Sequence, residues 1–357
     1  MTKPAAAETQ PTAASYVRPE IAALSGYVPG EQPSDPRVIK LNTNENPYPP
    51  PPSVREAIAE ACERLHLYPD PTARPLREKA GELWGVDPDG VVIGNGSDEL
   101  LSLLMRTVVA PGDAVAYATP TYSLYRTLVA IQGGRSVEIP YGPDYAVPQE
   151  LFRVDARMIL VCNPNAPSGT VVSTRELEKL ARARRDLLLV VDEAYVDFAD
   201  DGVTWIANGE PNVVVLRTLS KSYSLAGLRL GIAVTTPELA RQLNKVKDSY
   251  NVSRLAQAGA LAALSDQATM RAHVARVRAT RARLTAELEK LGFSVLPSQT
   301  NFVLARRPGE AALPIAEALR ERGILVRYFA ELPDALRITV GTDAEIDRLL
   351  EELAQLR

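Results

Sequence analysis

The chain has 357 residues, 46% of them hydrophobic and 24% charged, a balance that excludes wholesale disorder and at this length favours two domains. Its formal net charge of -4 gives no global electrostatic reason to expect binding to nucleic acid. Two histidines and two cysteines are too few for a multi-cysteine zinc site or a disulfide framework, so we expect no bound metal.

The first 15 residues contain no apolar run and are rich in alanine, threonine and proline. They lack the hydrophobic segment of a secretory signal, and we expect a flexible tail. No stretch of the chain approaches the roughly 20 apolar residues of a membrane span. Because Cys62 and Cys162 are widely separated in sequence, a reducing cytoplasm without membrane attachment is the expected location.

Residues 16–52 are rich in proline and end in the run LNTNENPYPPPPSV. Proline lacks a backbone donor, so we expect neither a helix nor a central strand here, but an extended arm over the surface. Half of the 28 prolines of the chain lie within its first 75 residues, which stiffens this part. Helices are predicted next over residues 53–65 and 74–84.

Residues 53–250 predict one large domain in which strands and helices alternate. Short runs rich in β-branched residues predict seven strands, at residues 91–93, 114–119, 136–140, 158–162, 187–191, 213–216 and 231–235. Helical patterns lie between most of them, at residues 97–110, 122–132, 174–185 and 237–247. Continuous apolar strands separated by helices are typical of a mainly parallel sheet covered on both faces, so we expect an α/β fold.

Residues 251–357 predict a smaller α+β domain, with the arm packed near it. Long helices rich in alanine, arginine and leucine extend from about residue 253 to Gly292. Strands at residues 302–305, 325–328 and 336–340 then alternate with helices at 311–322 and 343–356. The arginines of residues 271–283 are followed by Glu287 and Glu289, which favours a solvated helix face over a nucleic-acid surface.

Functional groups are expected at the carboxyl ends of the strands, where open α/β sheets bind ligands. The run GNGSDE at residues 94–99 joins a strand to a helix, and free N–H groups there favour a phosphate. Glu99 stands where a dinucleotide fingerprint has its third glycine, so the run is not that motif. A plain turn with Ser97 as the helix cap is the alternative.

Two further strand ends carry functional groups. One strand continues into the run DEAY at residues 192–195, where an acid suits a cationic partner, although a capping or surface acid is the alternative. Another leads into a turn rich in serine and glycine that holds Lys221 and, eight residues later, Arg229. A lysine for a Schiff base, an acid for a pyridine nitrogen and a phosphate cradle together indicate a pyridoxal phosphate site.

The chain resembles the fold-type-I aminotransferases over nearly its whole length, from about residue 21 onward, and within them the histidinol-phosphate aminotransferases. The resemblance rests on the runs GYVPGEQP, LNTNENPYPPP, LYPDP, GNGSDELL, TPTYSLY, NPNAPSG, VVDEAY, TLSKSYSLAGLRLG, QTNFVL and ALRITVGT. It implies a large domain with a mainly parallel seven-stranded sheet between helices, a smaller α+β domain, and pyridoxal 5′-phosphate as the cofactor.

The resemblance implies roles for the residues at matching positions. Lys221 forms the Schiff base with the cofactor and transfers the proton, and Asp192 pairs with the protonated ring nitrogen. Tyr195 hydrogen-bonds the phenolic oxygen of the cofactor, and Tyr122 stacks on its ring. Contacts to the cofactor phosphate are implied for Ser97, Asp98, Glu99, Ser220 and Arg229.

The resemblance also implies a homodimer, in which Tyr68 reaches the cofactor phosphate of the partner subunit. Contacts to the substrate are implied for Tyr27, Asn44, Arg327 and Arg337. Two guanidinium groups suit a substrate phosphate in one half-reaction and a dicarboxylate in the other.

One position departs from the family pattern. The family places an asparagine before Pro-Thr-Gly, where it bonds the phenolic oxygen of the cofactor, but Ala166 occupies that position here. Either Asn165 takes over the bond, or Tyr195 makes it alone. A lost neutral hydrogen bond is worth about 0.5–1.5 kcal/mol, enough to tune the site but not to abolish catalysis.

The implied reaction transfers the amino group of L-histidinol phosphate to 2-oxoglutarate by a ping-pong route in histidine biosynthesis. Alternatives on the same scaffold are an aromatic amino-acid aminotransferase and a decarboxylase of threonine phosphate. A non-catalytic regulator with this fold is disfavoured, because Lys221, Asp192 and Arg229 are all present.

Overall fold

The protein is described here by a computed structural model that covers residues 16–200 and 206–356. The tail predicted for residues 1–15 lies outside these ranges. The strands are β1 (Ile39–Leu41), β2 (Val91–Gly94), β3 (Ala114–Thr119), β4 (Arg135–Pro140), β5 (Met158–Cys162), β6 (Leu188–Asp192), β7 (Val213–Thr218), β8 (Gly231–Val234), β9 (Ser294–Val295), β10 (Phe302–Arg306), β11 (Ile324–Tyr328) and β12 (Ala335–Thr339).

The helices follow the strands in alternation through most of the chain. They are α1 (Pro19–Ala22), α2 (Pro52–Cys62), α3 (Arg74–Trp84), α4 (Ser97–Val108), α5 (Leu124–Gln132), α6 (Thr174–Ala183), α7 (Ile206–Gly209), α8 (Pro237–Val246), α9 (Arg254–Ser265), α10 (Gln267–Lys290), α11 (Leu313–Glu321) and α12 (Asp343–Gln355). Side chains of Ser173, Thr236 and Thr342 cap the helices that follow them, which explains where α6, α8 and α12 begin.

A seven-stranded sheet forms the centre of the large domain, in the order β2-β8-β7-β6-β5-β3-β4. Its strands pair in parallel except β8, which is antiparallel to both of its neighbours. Successive residues of one strand lie in different cores: Val190 packs on one face of the sheet and Val191 on the other. The continuous apolar runs of the sequence therefore reflect burial on both faces, and the mainly parallel α/β fold is confirmed.

A five-stranded sheet forms the smaller domain, in the order β1-β11-β12-β10-β9, with α10 and α12 packed on it. Its edge strand β1 comes from the N-terminal arm and pairs in parallel with β11. The prediction of no helix in the arm is wrong for α1, where Pro19 occupies the first helical turn and no donor is lost.

Helix α9 packs against α2, and its residues Ala256 and Ala260 share a core with Val54 and Leu76 of the large domain. By packing we therefore place α9 with the large domain, although the sequence puts the domain boundary before it, at residue 250.

Across the described ranges, none of the helices combines the length and the apolar character that crossing a bilayer needs. Within the same residues, no three His, Cys, Asp or Glu side chains cluster in a way that could hold a metal ion.

Candidate active site

The candidate site lies at the carboxyl ends of β6 and β7, which are parallel neighbours in the middle of the large sheet. Asp192 is the last residue of β6. Lys221 follows three residues after the end of β7, in the turn that leads to β8. The topology therefore brings an acid and a lysine, 29 positions apart in the sequence, to one edge of the sheet.

The Lys221 side chain lies beneath the N-terminal arm. Its Nζ donates a hydrogen bond to the carbonyl oxygen of Thr43 at 3.3 Å and lies 5.6 Å from the ring centre of Tyr195. Burial lowers the pKa of Lys221 to about 8, and the nearby positive charge of Arg337 acts in the same direction. With this pKa the neutral amine is present in roughly a tenth of the molecules at pH 7, far more than for a lysine in water, and the neutral amine is the form that acts as a nucleophile.

The Asp192 carboxylate is buried, with 3% of the residue exposed. Its Oδ2 accepts a hydrogen bond from the hydroxyl of Tyr125 at 2.9 Å, and its Oδ1 accepts one from the backbone N–H of Ala194 at 3.2 Å. Burial raises the pKa of Asp192 to about 6. Such a carboxylate suits a cationic ring nitrogen, whose charge would offset the cost of burial.

Tyr195 is held by Asn44, which the sequence analysis assigned to the substrate. The side-chain amide nitrogen of Asn44 donates to the Tyr195 hydroxyl oxygen at 2.9 Å, and its Oδ1 accepts from the Thr339 hydroxyl at 3.0 Å. Asn44 has a φ of 60°, a conformation that asparagine tolerates better than most residues. The Tyr195 hydroxyl proton stays available to a ligand, whereas the Asn44 side chain is hydrogen-bonded to Tyr195 and Thr339 within the protein.

A narrow cradle for an anion lies where α4 begins. Gly96 has a φ of 81°, and a β-carbon there would lie 2.7 Å from Nη2 of Arg229. A β-carbon at Gly231 would lie 2.4 Å from the carbonyl carbon of Gly96. Two glycines thus allow the turn, the helix start and the arginine to come together.

The two acidic side chains at the cradle are placed differently by the structure. Asp98 lies in it, accepting from Nη2 of Arg229 and from the hydroxyl of Tyr122, each at 3.2 Å. Glu99 points away, since its carboxylate accepts from the backbone N–H of Asn95 and the side chain of Asn251. The backbone of residues 97–99 is therefore the part of this run that can face an anion, in line with the free N–H groups expected there.

Ser220 is also buried at this edge, and its hydroxyl accepts a hydrogen bond from the hydroxyl of Thr218 at 2.9 Å. Because a hydroxyl both donates and accepts, Ser220 can also donate its proton to an anion at this edge.

Asn165 is engaged elsewhere. Its two amide protons are donated to the carbonyl oxygen of Pro120 at 3.1 Å and to the hydroxyl of Ser168 at 2.8 Å, and its Oδ1 accepts from Thr121. Because both protons are used, Asn165 holds the surrounding loop. Of the two alternatives at this position, the geometry favours Tyr195 as the partner of the phenolic oxygen.

Two arginines lie side by side on the sheet of the small domain. Arg327 and Arg337 are direct partners across β11 and β12, so both side chains project from the same face. Nη2 of Arg337 donates to the carbonyl oxygen of Asn42 at 2.8 Å, and Nη2 of Arg327 donates to that of Val28 at 3.0 Å. The Nε of Arg337 is buried and has no hydrogen-bond partner among the described residues. This pair offers paired N–H donors to an anion.

The two remaining predicted tyrosines differ in their placement. The ring of Tyr27 lies edge-on to that of Tyr122, with centres 6.1 Å apart, so the arm brings Tyr27 to the site. Tyr68 does not join the site of its own chain. It is 76% exposed and stacks on Tyr250 with ring centres 4.4 Å apart.

Residues of the arm that were not predicted from the sequence fix this arrangement. The side chain of Asn46 donates to the carbonyl oxygens of Lys221 and Ser222, at 3.2 and 3.1 Å. Together with Asn42, Thr43 and Asn44, it makes the run 42–46 a bridge to the lysine, the tyrosine and the arginine of the site. The signal was the asparagine-rich run LNTNEN, whose partners lie far away in the sequence.

These residues fit pyridoxal 5′-phosphate. A buried lysine with a lowered pKa, a buried carboxylate and a glycine-lined cradle beside an arginine match an aldehyde, a pyridine nitrogen and a phosphate. The match rests on the type and burial of each group.

The family model of class I and II aminotransferases matches residues 36–353. Histidinol-phosphate aminotransferase 1 of Nostoc sp. is 46% identical, over 96% of this chain and 98% of that protein. The histidinol-phosphate aminotransferase of Citrifermentans bemidjiense is 45% identical, over 95% of this chain and 98% of that protein.

The crystal structure of histidinol-phosphate aminotransferase from Sinorhizobium meliloti in complex with pyridoxal-5′-phosphate is similar in fold. It superimposes with a TM-score of 0.88 at 31% sequence identity, over 96% of this chain and 99% of that one.

Proposed function

The chain belongs to the histidinol-phosphate aminotransferases within aminotransferase classes I and II, and we propose that it transfers the amino group of L-histidinol phosphate to 2-oxoglutarate. The resemblance read from the sequence motifs is thereby confirmed, as is the enzyme class, a pyridoxal-phosphate-dependent transaminase. The substrates, the ping-pong route and the roles of individual residues are our proposal.

When bound, pyridoxal 5′-phosphate supplies an electron sink and carries the amino group between the two substrates. Lys221 holds the cofactor aldehyde through its Nζ and moves the proton from the α-carbon of the amino donor. Asp192 keeps the ring nitrogen protonated, and the Tyr195 hydroxyl donates to the phenolic oxygen. Tyr122 covers one face of the ring.

The cofactor phosphate is proposed to lie in the cradle at Gly96, held by N–H groups of residues 97–99 and by the side chains of Ser220 and Arg229. Arg229 is ion-paired with Asp98 at 3.2 Å. A phosphate would compete for that guanidinium, and its greater charge favours the exchange.

The substrate proposal rests on the paired arginines. Arg327 and Arg337 face one space from neighbouring strands. Arg337 donates to the carbonyl oxygen of Asn42 and Lys221 to that of Thr43, the next residue, so this arginine lies close to the reacting group. Two guanidiniums near a reactive amine suit a donor with a phosphate and an acceptor with two carboxylates. Tyr27 closes the same space from the arm.

Single-turnover conversion of the bound cofactor tests this substrate choice. We expect kcat/KM with L-histidinol phosphate to exceed that with phenylalanine by about 100-fold or more, because a phosphate can accept from both guanidiniums whereas the single carboxylate of phenylalanine leaves one of them without an anion. Equal values, or a preference for phenylalanine, would identify an aromatic amino-acid aminotransferase. Release of carbon dioxide from threonine phosphate would instead identify a decarboxylase.

Arg337→Ala is expected to lower kcat/KM in both half-reactions by about 30-fold or more, since removing one partner of a buried charge pair costs about 2–5 kcal/mol. Stopped-flow absorbance, with each substrate in turn, measures the two values. Arg306→Ala is the matched control, because Arg306 lies on β10 and pairs with Asp334 away from the site. A defect confined to one half-reaction contradicts the dual use of Arg337.

The proposal includes a homodimer in the cytoplasm. Tyr68 and Tyr250 are exposed together with Leu65 and Leu67, and an apolar surface of this kind indicates a protein partner. A second copy that covers this surface would bring Tyr68 to the cofactor phosphate of its neighbour. The cytoplasmic location rests on the free thiols of Cys62 and Cys162.

A further inference from the structure

Tyr125 joins two proposed cofactor residues, although the reaction scheme assigns it nothing. It lies in α5, where it is fully buried at 0% exposure. Its hydroxyl donates to one oxygen of Asp192, and the backbone N–H of Ala194 donates to the other. With one donor on each oxygen, the plane of the carboxylate is fixed.

The ring of Tyr125 is itself held on two sides. Tyr122 packs edge-on against it at 5.7 Å between ring centres, and Tyr117 does so at 5.9 Å. Because the ring is enclosed, its hydroxyl oxygen is held beside Asp192. The buried carboxylate is the strongest acceptor within reach of that hydroxyl, which favours this hydrogen bond.

The other groups around Asp192 do not favour its charge. Asp98 of α4 and Glu193 of the following loop both raise the pKa of Asp192. Cys162 is its register partner on β5, and burial raises the pKa of that thiol and of the Tyr122 and Tyr195 hydroxyls, so these groups stay neutral. Tyr125 and Ala194 supply the hydrogen bonds that act against burial.

We propose that Tyr125 is a positioning residue, which keeps the Asp192 carboxylate charged and aimed at the ring nitrogen of the cofactor; the second half of this statement rests on the proposed function. Burial and the two neighbouring acids favour the protonated carboxyl of Asp192. Without the Tyr125 hydroxyl, one hydrogen-bond donor fewer would oppose them. The carboxyl would then keep its proton up to a higher pH, and over that added range the cofactor would lose its charged partner.

Tyr125→Phe tests the hydrogen bond in the cofactor-free protein. Carbon-13 NMR of labelled aspartate, with the Asp192 signal assigned from Asp192→Asn, measures the pKa of this carboxyl directly. We expect it to rise by about 1 pH unit or more in Tyr125→Phe. Tyr117→Phe is the matched control, because Tyr117 is also a buried tyrosine that donates to a carboxylate, that of Glu138.

The dissociation constant for pyridoxal 5′-phosphate gives a second readout. Asp192 with a pKa of about 6 is mostly ionised at pH 6.5, whereas a value raised by about 1–1.5 units leaves it mostly protonated there. Tyr125→Phe should therefore bind the cofactor roughly three- to eightfold more weakly than wild type at pH 6.5, and equally well by about pH 8.5. Titration of Lys221 changes the cofactor affinity of both proteins equally, so it does not alter the ratio of their dissociation constants.

An unchanged Asp192 titration in Tyr125→Phe overturns the inference. Equal shifts in Tyr125→Phe and Tyr117→Phe overturn it as well, because they would reveal a packing effect without a specific bond. A wild-type protein that binds no pyridoxal phosphate refutes the proposed function instead. The Asp192 titration would still be readable in that case, so the two failures are distinguishable.

Discussion

Lys221→Ala should abolish transamination and leave a protein that binds pyridoxal phosphate without a covalent bond. Proton transfer by a positioned group contributes about 10²–10⁴-fold, and the covalent route is lost as well, so we expect kcat to fall by about 10⁴-fold or more. The wild-type protein should be yellow and should retain the cofactor on one peptide after borohydride reduction. Mass spectrometry of the digested proteins measures this attachment at Lys221.

The control for this prediction is another partly buried lysine. Lys79 pairs with Glu82 on α3, and its side chain is 21% exposed, so Lys79→Ala removes a lysine of similar burial outside the site. It should keep its colour and its rate. Cofactor attached at a lysine other than Lys221, or a colourless wild-type protein that takes up no pyridoxal phosphate, contradicts the assignment.

Asp192→Asn should lower kcat by about 10²–10³-fold while the fold is kept. The substitution removes the negative charge but almost no volume, and loss of one member of a buried charge pair costs about 2–5 kcal/mol. The ring nitrogen would then lose its proton, because no charged partner favours it. Steady-state kinetics and the absorbance spectrum of the bound cofactor measure the two effects.

Glu138→Gln supplies the comparison for Asp192→Asn. Glu138 also accepts a hydrogen bond from a buried tyrosine, but it lies on β4 and pairs with Arg126 away from the site. We expect its kcat to stay within about twofold of wild type. If both substitutions reduce kcat equally, the effect is general destabilisation and Asp192 has no special role.

The large domain could be predicted from the sequence because its strands are buried on both faces. The runs at Ala114–Thr119 and Met158–Cys162 are mostly apolar and buried except at Thr119, and the structure begins and ends β3 and β5 at those residues. The direction of β8 could not be predicted, since an apolar run has the same pattern in either direction. Strand β1 is too short, at three residues, to show a period of two.

The candidate site was predictable where chemistry is tied to a strand end, as at Asp192 and Lys221. It was not predictable where the role depends on a distant partner. Asn44 contacts Tyr195, 151 positions away, and Asn165 contacts Pro120, 45 positions away. A sequence shows that an asparagine is present, but its hydrogen-bond partner follows from the tertiary packing.

The arm also constrains how the two domains move. Strand β1 is bonded to β11 of the small domain and ends at Leu41, and the Thr43 carbonyl two residues later accepts from Lys221 of the large domain. Any rotation of the small domain must therefore be absorbed within a few peptide units or break that hydrogen bond. Rigid-body motion of the small domain is in this way mechanically linked to Lys221, the proposed proton-transfer group.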